Sequence, residues 1–357
     1  MRTLSFLMRG VIADNAQAIH DAHAVTILRQ QIREAAGALA AARRELAVAL
    51  AYHAAEMRAL DAIGTRIDTL SDGARRALAA KPPKRPAPPR EIPGVRTVVA
   101  VASGKGGVGK STVAANLAFS LAAEGKSVGL LDADLHGPSV HELMGLQGCE
   151  PPALRPPNDA GERLLDPVPG PGGVRCLSVG LLVGRKTPAA WRGPMVQRTL
   201  GQFMFGAHWG SPEAPLDVLV LDLPPGTGDA HLTLAQRAHI HGALVVSTPQ
   251  DLALADVRRG LEFFRLVGVP VLGMVENMSY FACSACGQRE DVFGHGGAAR
   301  EAERLGVPLL GTLPLARGFG GLAAAGSPAA EAHRALAARL LLALQGFPLP
   351  PAAQPPP

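Results

Sequence analysis

The sequence predicts an α/β protein: a mostly parallel sheet covered by helices on both faces, preceded by a separate helical module. Three observations carry this. From Arg96 onward, short apolar and β-branched runs alternate with helical stretches: Thr97–Ala102, Ser127–Leu131, Val218–Leu221, Ala243–Val246, Val269–Val275 and Pro308–Gly311. That rhythm is the signature of βαβ units, whose strands are buried on both sides. A glycine-rich loop, Gly104–Thr112, stands between the first run and a helix that starts at Ser111. Residues 1–80 contain no proline and keep a helical spacing of apolar side chains.

The helical module has two parts. Leu4, Leu7, Met8, Val11, Ile12 and Ile19 fall on one helical face. Such a face suits either a helix packed on its neighbour or a helix lying on a membrane surface. From Val25 the spacing alternates by three and four through Leu28, Ile32, Ala35, Leu39, Ala42, Leu46 and Ala49, shifts at His53, and resumes through Met57, Leu60, Ile63, Ile67 and Leu70. Sustained heptads of this kind form a coiled coil or a long hairpin. Gly37 and Gly64 each weaken the helix by roughly 1 kcal/mol and mark places for a bend. The amphipathic start, the Gln30–Glu34 run and the Ala-rich heptads resemble the beginning of the phage-shock protein A family. Residues 81–95 form a basic, proline-rich linker. The expected α/β domain then covers residues 96–346, and 347–357 form a proline-rich tail expected to be disordered.

The formal charge is +5, and all of the excess lies in residues 1–95, which hold 14 Lys/Arg against 9 Asp/Glu. The remainder of the chain is balanced. A local excess of this size suits an anionic membrane surface, an acidic partner, or simply a solvated helix face. No dense Arg/Lys patch with interleaved aromatics marks a nucleic-acid surface. The four cysteines are too few for a disulfide framework in 357 residues. No stretch approaches the roughly 20 apolar residues of a membrane span, and the first residues lack a signal-peptide core. The expectation is a cytoplasmic protein, with peripheral membrane contact through residues 1–20 as one use of the amphipathic start.

The loop Gly104–Lys105–Gly106–Gly107–Val108–Gly109–Lys110–Ser111–Thr112, set between strand and helix, reads as a P-loop. Its glycines let successive backbone N–H groups turn inward as a nest for phosphate, and the helix N-terminus faces the same anion. Lys110 is expected on the β- and γ-phosphates of ATP, the Ser111 hydroxyl on Mg²⁺, and Thr112 on the α-phosphate. Two acidic strand ends follow, Asp132–Ala133–Asp134 and Asp222–Leu223–Pro224–Pro225–Gly226–Thr227–Gly228–Asp229. A carboxylate leaving a buried strand beside the loop binds Mg²⁺ through water, a role that falls to Asp222. Asp132 reads as a turn or helix cap, and Asp229 as a cap for the helix at His231.

Lys105 resembles the second lysine of the deviant P-loop subgroup, which includes Min/Par ATPases, nitrogenase iron protein and Mrp-type proteins. That resemblance implies a homodimer in which Lys105 reaches the partner's phosphates, Asp134 positions the attacking water, and the Gly226 N–H contacts the γ-phosphate.

Cys283 and Cys286 form a CxxC pair. Two thiolates supply half the ligands of a metal site, and a symmetric dimer doubles them to four. Alone, the pair also fits a redox dithiol, a zinc clip or a vestige. Its surroundings are more specific. Glu276–Asn277–Met278–Ser279–Tyr280–Phe281, the CxxC, and Phe293–Gly294–His295–Gly296–Gly297 closely resemble the Mrp (ApbC) family of iron–sulfur carrier ATPases. So do Trp191–Met195, Asp222–Asp229, Thr248–Asp251 and Gly311–Leu315. The resemblance covers about residues 94–330. It implies a labile [4Fe–4S] cluster bridged by Cys283 and Cys286 of two subunits, received from a cluster donor and passed to apo-protein clients, with Asn277 at the adenine edge. His295 reads as a loop residue, and Cys149 and Cys176 as small apolar ones. A helical module stands where many members of that family carry a small α/β domain. The alternatives are a membrane-associated positioning ATPase of the Min/Par type and a coiled-coil scaffold with a slow ATPase switch.

Overall fold

The computed structural model describes residues 88–157, 161, 163–182, 193–226, 228–282, 288–315 and 321–346, together with Gln30, Ile32, Arg33, Ala35 and Ala36. Those five are helical. The rest of the expected helical module, residues 81–87 of the linker and the tail lie outside the described residues. Contacts divide the chain into Met1–Arg85 and Pro86–Pro357.

The second unit is built on a nine-stranded sheet. In chain order its strands are β1 (Val95–Ser103), β2 (Val128–Asp132), β3 (Val168–Pro169), β4 (Arg175–Leu177), β5 (Leu216–Asp222), β6 (Gly242–Ser247), β7 (Val271–Ala282), β8 (Arg289–Glu290) and β9 (Leu309–Leu315). The spatial order is β3-β4-β2-β5-β1-β6-β7-β8, and β9 pairs with β7. All pairs are parallel except β3 with β4 and β7 with β8. The predicted parallel sheet is therefore borne out, with two short antiparallel additions at its edges.

The central strands read as unbroken apolar runs because both of their faces are buried. Along β1, Val98, Ala100 and Ala102 enter one core, while Val99 and Val101 enter the other. Helices α1 (Lys110–Ala123), α2 (Val140–Leu143) and α7 (Pro328–Leu344) close the second core, through residues such as Leu117, Val140 and Leu336. Helices α3 (Gly193–Phe205), α4 (Asp229–Arg237), α5 (Asp251–Leu266) and α6 (Gly297–Leu305) close the first, through Leu200, Leu234, Leu261 and Ala298. Trp209 is fully buried there and donates its indole N–H to the Phe203 carbonyl at 2.9 Å.

Two departures from the sequence reading matter. The last residues of the proline-rich stretch belong to the sheet domain: Ile92 is buried in its core, and the Arg90 N–H donates to the Arg237 carbonyl. β7 runs on to Ala282, seven residues past its predicted end, through polar side chains that are buried. Among the described residues, no helix is long and apolar enough to cross a membrane.

Candidate functional site

Parallel strands leave their carboxyl ends on one edge of the sheet, and ligands of open α/β sheets bind there. Ser103, Asp132, Asp222 and Ser247 end β1, β2, β5 and β6 on that edge. The P-loop starts where the Ser103 hydroxyl donates to the Lys105 carbonyl at 2.9 Å. Gly107 and Gly109 then take φ of 80° and 79°, the left-handed region that glycine enters at no steric cost. Gly109 is constrained twice, because a Cβ there would stand 2.3 Å from Asn277 Nδ2. α1 follows with Lys110 at its first position.

Lys110 is buried, and its ammonium lies 2.5 Å from Asp222 Oδ1 and 3.1 Å from Ser111 Oγ. Asp222 is fully buried. Burial raises its pKa, while Lys110 acts in the opposite direction. Its Oδ2 is buried with no hydrogen-bond partner. An orphaned carboxylate oxygen beside a serine hydroxyl is an all-oxygen donor set that fits the water shell of Mg²⁺.

Asp132 ends β2 in register with Asp222. Its Oδ1 accepts the Asp134 N–H at 3.1 Å. Its Oδ2 accepts the Ser139 and Val140 N–H groups at 3.0 and 3.1 Å and the Ser178 hydroxyl at 2.9 Å. The carboxylate thus caps α2, as the sequence reading expected. Burial and the neighbouring Asp222 push its pKa up to about 7, against the Ser178 and Val140 hydrogen bonds that hold it down. Asp134 is half-buried and accepts the Gly137 N–H at 3.1 Å. The Gly226 N–H, expected at the γ-phosphate, donates to the Ser103 carbonyl at 3.0 Å.

Asn277 lies under the P-loop, buried, with its amide donating to the Val108 carbonyl at 2.9 Å. Met278 follows with φ of 55°, the one non-glycine residue with positive φ among those described. Met278, Lys105, Gly107, Thr248 and Phe293 line a cavity of about 210 Å³ beside the loop. Thr112 takes the third position of α1, and its carbonyl accepts from Asn116 Nδ2.

The same strand explains the clustering of the other motifs. Glu276 is 1% exposed and accepts the Ala298 N–H at 2.7 Å and the Ser279 hydroxyl at 2.6 Å. A Cβ on Gly297 would stand 2.3 Å from the Pro249 carbonyl oxygen. Residues 248–251, 276–279 and 293–297 therefore meet at the P-loop's flank.

A profile of the ParA family, described as NUBPL iron-transfer P-loop NTPases, matches residues 94–343. The chain belongs to this family. Among curated relatives of this NUBPL-type P-loop NTPase, the iron-sulfur cluster carrier protein of Aquifex aeolicus is 49% identical over 63% of this chain and 59% of its own length. That of Pseudomonas fragi is 48% identical over 68% of this chain and 82% of its own. The solved nucleotide-binding protein of Archaeoglobus fulgidus in complex with ADP is 34% identical. It aligns with 72% of this chain and 94% of its own, with a TM-score of 0.53.

Cys283 and Cys286 lie outside the described residues, as do Trp191, Arg192 and Thr227. The described chain reaches Ala282, and Arg289 returns antiparallel to it. His295 pairs with Asp291 at 2.9 Å, in keeping with a loop role. Cys176 is buried among apolar side chains, and burial pushes its thiol up to about 12.

One group of this NTPase site escaped the sequence reading. His231, on α4, is 2% exposed, and neither ring nitrogen has a hydrogen-bond partner. Its ring meets Phe263 edge-on at 5.8 Å. Burial and the Lys110 ammonium lower its pKa to about 4, against a smaller opposing effect of Asp134. Its burial arises from tertiary packing, and the local sequence carries no signal of it.

Proposed function

We propose that the chain is an ATP-hydrolysing iron–sulfur cluster carrier that works as a cytoplasmic homodimer. The cargo is a labile [4Fe–4S] cluster. Cys283 and Cys286 of two copies supply its four thiolates, and apo-protein clients receive it from the carrier. The observation that carries this reading is β7. It holds Asn277 against the P-loop and ends at Ala282, so the proposed adenine contact and the thiolate pair are six and nine positions apart in the sequence. The family, and relatives that are iron-sulfur cluster carrier proteins, support the same cargo.

The chain's own groups suit the chemistry. Lys110 exchanges Asp222 for the β- and γ-phosphates, and the Gly104–Gly109 backbone cradles the same oxygens. Ser111 and the released Asp222 hold Mg²⁺ through oxygen ligands; bound there, the ion neutralises charge on the phosphates. Thr112 contacts the α-phosphate, and Asp134 orients the attacking water. The Gly226 N–H leaves the Ser103 carbonyl to meet the γ-phosphate. Lys105 reaches the partner's phosphates across the dimer. Asn277 spans the loop and the adenine edge, since an amide both donates and accepts.

The test is anaerobic reconstitution with iron and sulfide of the full chain and its Cys283→Ala/Cys286→Ala variant. Roughly four irons per wild-type dimer, absent from the variant, are expected. Equal iron in the two proteins, or none in either, would sink the carrier reading.

A further inference from the structure

The Asp132 network reaches further than a helix cap. Its carboxylate holds both ends of the loop that carries Asp134: the Asp134 N–H at one end, and the Ser139 and Val140 N–H groups at the other. The fourth donor comes from a different part of the fold. Ser178 follows β4, is fully buried, and donates its hydroxyl to Asp132 Oδ2 while accepting the Gly180 N–H at 3.2 Å. Gly180 lies in the single-turn helix Val179–Leu181. A Cβ on Gly180 would stand 2.2 Å from the His141 ring on α2, so turn and helix are also in direct packing contact. Two independent contacts, one polar and one steric, therefore join the Asp134 loop to the turn after β4.

We propose that Asp132 and Ser178 are positioning residues for ATP hydrolysis: their carboxylate–hydroxyl pair sets the 134–140 loop, and with it Asp134, according to the position of the Val179–Leu181 turn. This rests on the reading of Asp134 as the residue that orients the attacking water. The physical ground is the donor count. A carboxylate with four donors on two oxygens has one low-energy placement, and each hydrogen bond to a charged group is a strong one. A shift of the turn withdraws the Ser178 donor, and a loop that has lost a tether spends less time in the reactive arrangement. Misplacement of a water-orienting group lowers turnover without touching the phosphate cradle. Neither Asp132 nor Ser178 needs to contact nucleotide.

The experiment compares the full chain with Ser178→Ala, Ser178→Thr and Asp132→Asn. It measures ATP turnover, ADP affinity, thermal midpoint, and hydrogen exchange at the Ser139 and Val140 amides. In Ser178→Ala, kcat is expected to fall roughly tenfold, the equivalent of one charged hydrogen bond. ADP affinity should stay within about twofold, and both amides should exchange faster. Ser178→Thr, which keeps the hydroxyl, restores kcat. Asp132→Asn loses more, because its amide places an N–H₂ group against N–H donors. Unchanged kcat in both Ser178→Ala and Asp132→Asn overturns the proposal, as does a loss of ADP affinity in step with kcat. A wild type that binds ADP and never hydrolyses ATP overturns the ATPase reading itself, a different result from either.

Discussion

His231 puts a charge constraint inside the nucleotide site. The unfolded chain protonates this imidazole near pH 6.5, and the folded chain resists protonation until about pH 4. The unfolded state therefore binds the extra proton between those values, and stability falls as pH drops through the window. The loss attributable to His231 is on the order of 3 kcal/mol by pH 4. Urea midpoints from pH 7 to 4 should show wild type losing more stability than His231→Gln; parallel curves would contradict this. Taking the difference between the two proteins removes Asp132, whose raised pKa acts with the opposite sign. Residue-level legibility was uneven for a physical reason. The phosphate role of the Gly104–Thr112 loop depends on local backbone freedom, which spacing reveals. The isolation of His231 depends on Phe263 and Lys110, 32 and 121 positions away in the chain.

At the level of elements, Glu276 joins β7 to the start of α6, because its buried oxygens accept the Ala298 N–H and the Ser279 hydroxyl. Arg258 on α5 then grips Glu301 of α6 with two bonds of 2.6 and 3.0 Å. Glu276→Ala should cost about 2–3 kcal/mol, read as a lower denaturant midpoint with an unchanged m-value. A change under about 0.5 kcal/mol would mean that α6 docks without the carboxylate. The same residues explain which strands were readable. β1, β2, β5 and β6 are apolar on both faces, and their runs stand out. β7 looks finished at Val275 because Glu276, Asn277 and Ser279 follow, and their burial depends on partners elsewhere in the chain. β3 and β4 have two and three residues and no room for a period.

For the whole molecule, the proposed phosphate role of Lys110 sets nucleotide in competition with the buried Lys110–Asp222 ion pair. Removing one member of such a pair leaves an uncompensated charge in the core. Lys110→Ala should therefore unfold at lower temperature even without nucleotide, by the equivalent of about 3 kcal/mol. ADP at 100 times its Kd should stabilise wild type by about 2.7 kcal/mol and leave the variant unmoved. Equal ADP responses in the two proteins would remove Lys110 from the phosphate site.

β7 has a mechanical consequence. It is tied laterally to β6, β8 and β9. The registered pairs with β6 end at Glu276, and those with β8 and β9 resume over Tyr280–Ala282. Between those ties Met278 takes a φ of 55°, and the register with β9 shifts from Glu276 to Tyr280. A displacement beneath the P-loop therefore meets a kink in β7 at Met278 before it reaches Ala282. On the proposed carrier reading, a thiol-reagent rate at Cys283 and Cys286 that changes with ADP would mean that the kink passes the movement on, and an unchanged rate that it takes it up.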